Sequence, residues 1–202
     1  MATLTLTLIA YLIGSISFAV IISRAFGLPD PRSYGSGNPG ATNVLRTGRK
    51  AVAALTLLGD SVKGWLAVVI AGRFAEPGGV ELAVAAAGVA VIVGHMYPVF
   101  FRFQGGKGVS TALGVLVALN LYVAAGTLAT WLIIAGFFRI SSLAALVAAL
   151  FAPFFTLLLY GPTHPYSIAV AIISALLIWR HRTNIRKLLA GTEGRLDSKK
   201  SV

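Results

Sequence analysis

Six long apolar segments constrain the fold of this chain more than any other feature. They cover residues 3–26, 51–72, 80–101, 111–138, 142–160 and 166–179. A helix of about 20 apolar residues crosses the hydrocarbon core of a bilayer. Only 11% of the residues are charged, whereas soluble domains carry about 25%. We therefore predict an all-α, polytopic integral membrane protein with one transmembrane domain, residues 1–202.

The distribution of lysine and arginine predicts which loops share a side of the membrane. The connections 73–79 and 161–165 hold one arginine and no lysine, and nearly all other cations lie in the remaining polar segments. Because Lys and Arg are enriched in cytoplasmic loops, we predict an external N-terminus and a cytoplasmic C-terminus. The cytoplasmic motif loops are then 27–50, 102–110 and 180–202. The net charge of +11 would also attract anionic lipids and phosphorylated substrates.

The apolar segment 111–138 lies between two cytoplasmic cations, Lys107 and Arg139. If this segment crossed the membrane once, Arg139 would lie outside the cytoplasm, against the predicted location of the cationic loops. Two half-length helices with a turn between residues 120 and 126 would return the chain to its starting side, provided that the pair is buried against protein. We therefore predict about five full spans plus this re-entrant pair, seven helical segments in all. The alternative is one long tilted span with a misplaced tail.

Residues 34–50, YGSGNPGATNVLRTGRK, form an unusually polar, glycine-rich loop. Its glycines can turn successive N–H groups toward one anion. The part ATNVLRTG reads as a short helix on which Asn43 and Arg46 share a face, and Arg46 can hold a phosphate with two hydrogen bonds. The alternative is a solvated loop, which we accept for Arg32 and for residues 49–50. The candidate functional residues are Ser36, Gly37, Gly40, Thr42, Asn43 and Arg46.

A second motif, FQGGKGVST at residues 103–111, precedes an apolar segment. It is not a Walker P-loop, because that pattern requires glycine at Phe101. Small residues, a lysine and a helix N-terminus nevertheless favour phosphate binding over an ordinary turn. The candidate substrate-binding residues are Gly105, Gly106, Lys107, Gly108 and Ser110.

The segment after the last span, RHRTNIRKLLAGTEGR, places His181 and Asn184 three residues apart on one helical face. Its arginines are typical of a lipid-headgroup anchor, but anchoring leaves the His–Asn pair unexplained. We therefore assign His181 and Asn184 to the active site. Glu193 is expected to brace the helix through a cation, which is a structural role.

Ionisable residues also occur inside the apolar segments. Asp60 and Lys63 lie three residues apart, and such residues usually face a polar interior. They either form a structural pair or face the substrate; we assign Asp60 a structural role and Lys63 substrate binding. His95 either lies at the interface or lines the site. The chain has no cysteine and no clustered acidic ligands, so we predict neither a metal nor another cofactor.

Three motifs, GSGNPGATNVLR, GHMYPVFFRFQGGKGVST and HRTNIRKLLAGTE, occur in this order. The chain closely resembles the bacterial acyl-phosphate-dependent glycerol-3-phosphate acyltransferases over nearly its whole length. This resemblance implies a plasma (inner) membrane enzyme that moves a fatty acyl group from acyl phosphate to the 1-hydroxyl of glycerol 3-phosphate. The products would be lysophosphatidic acid and phosphate, in phospholipid biosynthesis.

The resemblance also implies site roles. Ser36 and Arg46 match an essential serine and arginine, residues 105–108 match the loop that binds the phosphate of glycerol 3-phosphate, and His181, Asn184 and Glu193 match residues needed for activity or structure. From the residues themselves, we expect Arg46 and Lys107 to hold the two phosphates while Asn43 and loop N–H groups stabilise the oxyanion. The general base is either a substrate phosphate oxygen or His181. The alternative function is an organic-phosphate transporter, although no inverted repeat is found.

Overall fold

The computed structural model describes residues 1–196, so the last six positions of the predicted loop 180–202 lie outside the described residues. Within this range the regular structure is entirely helical. The helices are α1 (Ala2–Gly14), α2 (Phe18–Ala25), α3 (Ala41–Leu45), α4 (Lys50–Phe74), α5 (Val80–Met96), a 3-10 turn (Val99–Phe101), α6 (Val109–Leu119), α7 (Leu121–Phe138), α8 (Ser141–Tyr160), α9 (Pro165–Arg180) and α10 (Arg182–Leu189).

Five helical segments of the described chain are long and apolar enough to cross a membrane. They are Ala2–Ala25, Lys50–Phe74, Val80–Phe101, Leu121–Phe138 and Ser141–Tyr160. Helices α9 and α10 form a further segment that bends by 58° at its break. The predicted class, an all-α polytopic integral membrane protein, is confirmed.

The predicted break between residues 120 and 126 occurs at Asn120, which separates α6 from α7. Its side-chain oxygen accepts hydrogen bonds from the N–H groups of Tyr122 (2.8 Å) and Val123 (3.2 Å). Asn120 thus caps the N-terminus of α7, while its side-chain NH₂ donates to the Tyr160 hydroxyl (2.9 Å). The alternative of one long tilted span is wrong.

One helix of this hairpin differs in length from the prediction of two half-length helices. Helix α6 has 11 residues but α7 has 18, so α7 is long enough to cross the membrane. Only α6 is half-length, and the chain before it folds back against α5, where the Gly106 N–H donates to the His95 carbonyl oxygen (3.1 Å). Helix α6 consequently begins inside the bundle, where the Thr111 carbonyl lies against Gly64 in the middle of α4.

Small residues allow the helices to approach closely. A Cβ atom at Gly14 in α1 would overlap the Val91 carbonyl oxygen in α5, and one at Gly94 in α5 would overlap the Tyr11 carbonyl oxygen in α1. Such contacts between small residues are typical of packing in membranes. The main core cluster lies among α1, α4, α5, α6, α8 and α9, and a second cluster lies among α6, α7, α8 and α9.

The polar loops meet at one end of the bundle. The hydroxyl oxygens of Thr42 and Ser141 are 3.2 Å apart, and the Ser142 hydroxyl donates to Glu193 (2.6 Å). Helix α3, the start of α8 and the C-terminal segment are therefore in contact. At the opposite end, residues 161–165 contact the start of α5, since His164 Nε2 lies 3.5 Å from a Glu81 carboxylate oxygen.

Candidate active site

A cavity of about 470 Å³ lies at the end where the polar loops meet and continues between the helices. Its walls include His95 and twelve residues to which the sequence assigned a site role, namely Ser36, Gly40, Thr42, Asn43, Arg46, Asp60, Lys107, Gly108, Ser110, His181, Asn184 and Glu193. Apolar side chains of α6, α7, α8 and α9 line the rest, among them Leu116, Trp131, Ala152 and Val170. The cavity thus joins a polar, cationic part to an apolar part.

Asn43 stabilises the conformation of the first loop, residues 34–50. Its amide is buried, its NH₂ group donates to the carbonyl oxygens of Pro31 (2.8 Å) and Tyr34 (3.1 Å), and its oxygen accepts from the Ser36 N–H (3.0 Å). Gly35 has φ +60°, and a Cβ atom there would overlap the Asn43 side-chain oxygen. The loop therefore needs glycine at this position and presents Ser36 at the cavity.

Arg32 connects loops without lining the cavity. Its guanidinium is 2.6 Å from an Asp30 carboxylate oxygen and lies over the Phe101 ring, 5.7 Å from the centroid. Hydrogen bonds from Arg32 lower the pKa of Asp30. This position agrees with the non-functional interpretation of Arg32.

A chain of short hydrogen bonds connects the second loop, residues 102–110, to the C-terminal segment, residues 181–196. The Lys107 ammonium donates to the Asn184 side-chain oxygen (2.6 Å), and the Asn184 NH₂ donates to Glu193 (2.6 Å). Burial lowers the pKa of Lys107 to about 8, against the opposing effect of the Glu193 carboxylate. Glu193 thus braces the segment through Asn184 and Ser142, and its carboxylate also lies near the Lys107 charge.

His181 lies at the bend between α9 and α10 and is only 2% exposed. Its Nδ1 atom is 2.7 Å from the Leu177 carbonyl oxygen. Because a carbonyl oxygen can only accept, Nδ1 carries a proton. In the neutral ring, Nε2 is then the nitrogen with a free lone pair, as a general base requires.

The structure corrects the assignment of Lys63 as a substrate-binding residue. Its ammonium lies 2.8 Å from Asp60 and donates to the Ile16 carbonyl oxygen (2.6 Å), and its side chain is 3% exposed. Lys63 does not line the cavity, because these internal partners hold it between α4 and the break in the first span. Asp60 reaches the cavity beside His95, whose Nδ1 is 3.7 Å from the same carboxylate.

Three predicted substrate-binding glycines, Gly37, Gly105 and Gly106, also do not line the cavity. A Cβ atom at Gly105 would overlap the His95 carbonyl oxygen, and one at Gly106 would overlap the His95 ring. These two glycines therefore allow the second loop to pack against α5. Gly37 has φ +67°, so it serves the turn of the first loop.

One residue of this region was not singled out from the sequence. The Arg180 guanidinium donates to the carbonyl oxygens of Gly105 (2.8 Å) and Gly106 (3.1 Å). In the sequence Arg180 is one of several cations after the last apolar segment, and the group was interpreted as a lipid anchor. Its position directly before His181, a candidate active-site residue, is the sequence feature that could have indicated a role in the site.

Residues 4–191 match the family described as glycerol-3-phosphate acyltransferase. Relatives with this description include a protein of Burkholderia pseudomallei (strain 1710b), 62% identical over 204 residues, with 100% of this chain and 99% of the relative covered. One of Cupriavidus taiwanensis is 61% identical over 203 residues, with 100% of both chains covered.

Two crystal structures are also similar to this chain. Both are described as PlsY (YgiH), an integral membrane glycerol 3-phosphate acyltransferase. The glycerol 3-phosphate form has a TM-score of 0.89 and 41% identity, with 96% of each chain covered. The lysophosphatidic acid form has a TM-score of 0.88 and 40% identity, with 96% of this chain and 95% of the other covered. Together with the full-length relatives, these matches show that the chain belongs to the glycerol-3-phosphate acyltransferase family.

Proposed function

We propose that this protein transfers a fatty acyl group from acyl phosphate to the 1-hydroxyl of glycerol 3-phosphate. The single observation that carries the proposal is the cavity that joins a cationic polar part to an apolar part. Such a cavity suits a small phosphorylated acceptor together with an acyl donor. The descriptions of the similar structures, one with glycerol 3-phosphate and one with lysophosphatidic acid, support the same acceptor and product.

The polar part supplies charge for two phosphate groups. Lys107 and the N-terminus of α6 face the cavity from one side, where we place the phosphate of glycerol 3-phosphate. Arg46 faces it from the first loop, where we place the phosphate of the donor. Thr42 and Ser110 supply further hydroxyl groups at the walls.

The apolar part suits the acyl chain. A row of alanines on α8, Ala145, Ala148, Ala149 and Ala152, lines the cavity opposite larger side chains of α6 and α7. Small residues leave room between helices that larger ones would fill. An acyl chain held here lies between helices while its carbonyl group remains at the polar end.

The reaction follows from these positions. The 1-hydroxyl oxygen forms a bond to the acyl carbon, the bond from that carbon to the phosphate oxygen breaks, and phosphate leaves with the bonding electron pair. The hydroxyl proton passes to a substrate phosphate oxygen or to His181 Nε2. Because both hydrogens of the Asn43 amide are already donated, we assign Asn43 to shaping the loop. Ser36 and loop N–H groups then stabilise the oxyanion.

The decisive test is to purify the protein in detergent and measure formation of lysophosphatidic acid. Acyl phosphate, acyl-CoA and acyl-acyl carrier protein are compared as donors, and we expect turnover only with acyl phosphate. A transporter would form no product in this assay, because detergent leaves no second compartment. Incubation with acyl phosphate alone tests a nucleophilic Ser36: an accumulating acyl-enzyme would contradict direct transfer.

We also propose that the active-site end faces the cytoplasm of a bacterial plasma membrane. The support is the excess of Lys and Arg in the loops at this end. The natural chain has no cysteine, so single cysteines at Lys50, Gly78 and Arg139 can be labelled from outside intact cells. We expect only the Gly78 position to react; external labelling at Arg139 would contradict the orientation.

A further inference from the structure

Arg180 holds two consecutive carbonyl groups of the second loop. Its Nη2 donates to Gly105 and its Nε to Gly106, and the planar guanidinium is suited to hold two acceptors at once. The same group lies over the Tyr97 ring, 5.4 Å from the centroid, which limits its movement. Arg180 itself does not line the cavity.

These hydrogen bonds fix the direction of the next N–H group. In a trans peptide the C=O and N–H point in opposite directions. The peptide that joins Gly106 to Lys107 directs its carbonyl toward Arg180, so the Lys107 N–H points away from Arg180. That N–H has no acceptor among residues 1–196, whereas the Gly106 N–H is already donated to His95. Lys107 lines the cavity, and a free N–H beside its ammonium group suits an anionic oxygen.

We propose that Arg180 is a positioning residue for glycerol 3-phosphate, because it orients the Gly106–Lys107 peptide so that the Lys107 N–H donates to the acceptor's phosphate. The inference rests on the proposed function. Arg180 touches no substrate in this arrangement and acts through the backbone of the second loop. It also links that loop to His181, its neighbour in sequence.

Arg182 provides a matched control on the same segment. It is exposed, its guanidinium lies 4.9 Å from the centroid of the Trp179 ring, and it donates to the Trp179 carbonyl oxygen (3.3 Å). The substitutions Arg180→Ala and Arg182→Ala remove the same charge from nearby positions, but only the first frees the loop carbonyls.

The experiment measures steady-state kinetics of the full-length variants in detergent, together with their thermal stability. For Arg180→Ala we expect the KM for glycerol 3-phosphate to rise by about tenfold or more, with the KM for acyl phosphate within about twofold of wild type. Arg180→Lys should give an intermediate KM, because an ammonium does not span both carbonyls in one plane. Arg182→Ala should match wild type.

The pH dependence of the KM for glycerol 3-phosphate distinguishes the positioning effect of Arg180 from the effect of its charge. Lys107 is surrounded by Arg46, Arg180, His181, Lys187 and Glu193, and the Arg180 cation contributes to lowering its pKa. Because the pKa of Lys107 is about 8, the wild-type KM for glycerol 3-phosphate should rise at alkaline pH, and for Arg180→Ala this rise should move to higher pH. Arg180→Lys keeps the positive charge, so its KM for glycerol 3-phosphate should be higher than that of wild type but should begin to rise at the same alkaline pH.

An unchanged KM for glycerol 3-phosphate in stable Arg180→Ala protein would overturn the inference, as would an equal rise in both KM values. Should Arg180→Ala fail to fold, the same KM criteria apply to Arg180→Lys. If wild type forms no lysophosphatidic acid, the proposed function fails instead. The inference is then tested by whether glycerol 3-phosphate raises the melting temperature of wild type but not of Arg180→Lys; equal increases would overturn it.

Discussion

The Lys63 ammonium lies 2.6 Å from the Ile16 carbonyl oxygen, at the point where the first span is broken between α1 and α2. The carbonyl groups near a helix end lack partners within the helix, and inside a membrane they have no water to bind. Lys63 supplies a donor and is itself neutralised by Asp60 at 2.8 Å. The pair thus allows an interruption inside a membrane span.

This relationship predicts a large loss of stability for Lys63→Met. Removal of one partner leaves the Asp60 carboxylate buried and unpaired, which costs about 3–5 kcal/mol. The double substitution Asp60→Asn/Lys63→Met should lose less than the sum of the single changes, as unfolding in detergent would show. Lys50→Met, an exposed cation on the same helix, is the control and should be near wild type. Additive losses would mean that the two residues do not act as a pair.

Lys107→Ala should raise the KM for glycerol 3-phosphate by about tenfold or more near neutral pH, because a charged donor is lost. The effect should shrink as pH rises. Since the pKa of Lys107 is lowered to about 8, the wild-type side chain is charged below this pH and becomes neutral above it. The kcat/KM for glycerol 3-phosphate should therefore fall through pH 8 in wild type but not in Lys107→Ala, with Lys107→Arg keeping its value to higher pH. A constant ratio of wild type to Lys107→Ala at all pH values would contradict this.

Glu193→Ala should lower kcat by about tenfold and make the C-terminal segment more sensitive to protease. The carboxylate accepts from both Asn184 and Ser142, and a charged hydrogen-bonding group contributes about 1.5–3 kcal/mol. Glu193→Gln keeps one neutral acceptor, so its loss should be smaller. Glu76→Ala, in the exposed loop between α4 and α5, serves as the control. Equal protease sensitivity in the two alanine variants would exclude the bracing role.

Gly114→Ala should destabilise the bundle by about 1–3 kcal/mol. A Cβ atom at Gly114 in α6 would overlap the Ser61 carbonyl oxygen in α4, whereas one at Gly136 in α7 would meet no atom within 4 Å. Gly136→Ala is therefore a control that should be neutral or stabilising by up to about 1 kcal/mol. Thermal unfolding in detergent compares the two. If Gly114→Ala proved as stable as Gly136→Ala, α6 would not pack on α4 through a backbone contact.

Ala152→Phe should shift the preferred donor toward shorter acyl chains, if the proposed function holds. Ala152 lines the cavity eleven residues beyond Ser141, which lies at the polar end, and it packs in the second core cluster. For the longest donor we expect kcat/KM to fall about tenfold or more, with little change for short donors. Phe151→Leu, on the exposed side of α8, is the control. A uniform fall across chain lengths would place the acyl chain elsewhere.

Features that depend on local sequence could be predicted well. The break at Asn120 followed from the cations on both sides of a long apolar segment, and the residue found there is a good N-cap. Twelve candidate residues from separate segments line one cavity. Ten of them are small, hydroxyl, amide, imidazole or cationic residues that suit an anion, and Asp60 and Glu193 are the two carboxylates. These predictions needed only spacing, charge and helix chemistry.

Features that depend on tertiary contacts could not be predicted. The chain before α6 is held against α5 by the hydrogen bond from the Gly106 N–H to the His95 carbonyl oxygen, and no sequence pattern links these two residues. Lys63 donates to the Ile16 carbonyl oxygen, 47 residues away, and Arg180, the last residue of α9, donates to the carbonyl oxygens of Gly105 and Gly106. In each case the partner of a polar group is contributed by another part of the chain.

The cavity described above has one wall made of loops and another made of helices that face hydrocarbon. A water-soluble reactant and an apolar one can thus meet while each remains in the medium that dissolves it. Under the proposed function, no fatty tail has to cross an aqueous space, and the lipid product forms next to the membrane that receives it.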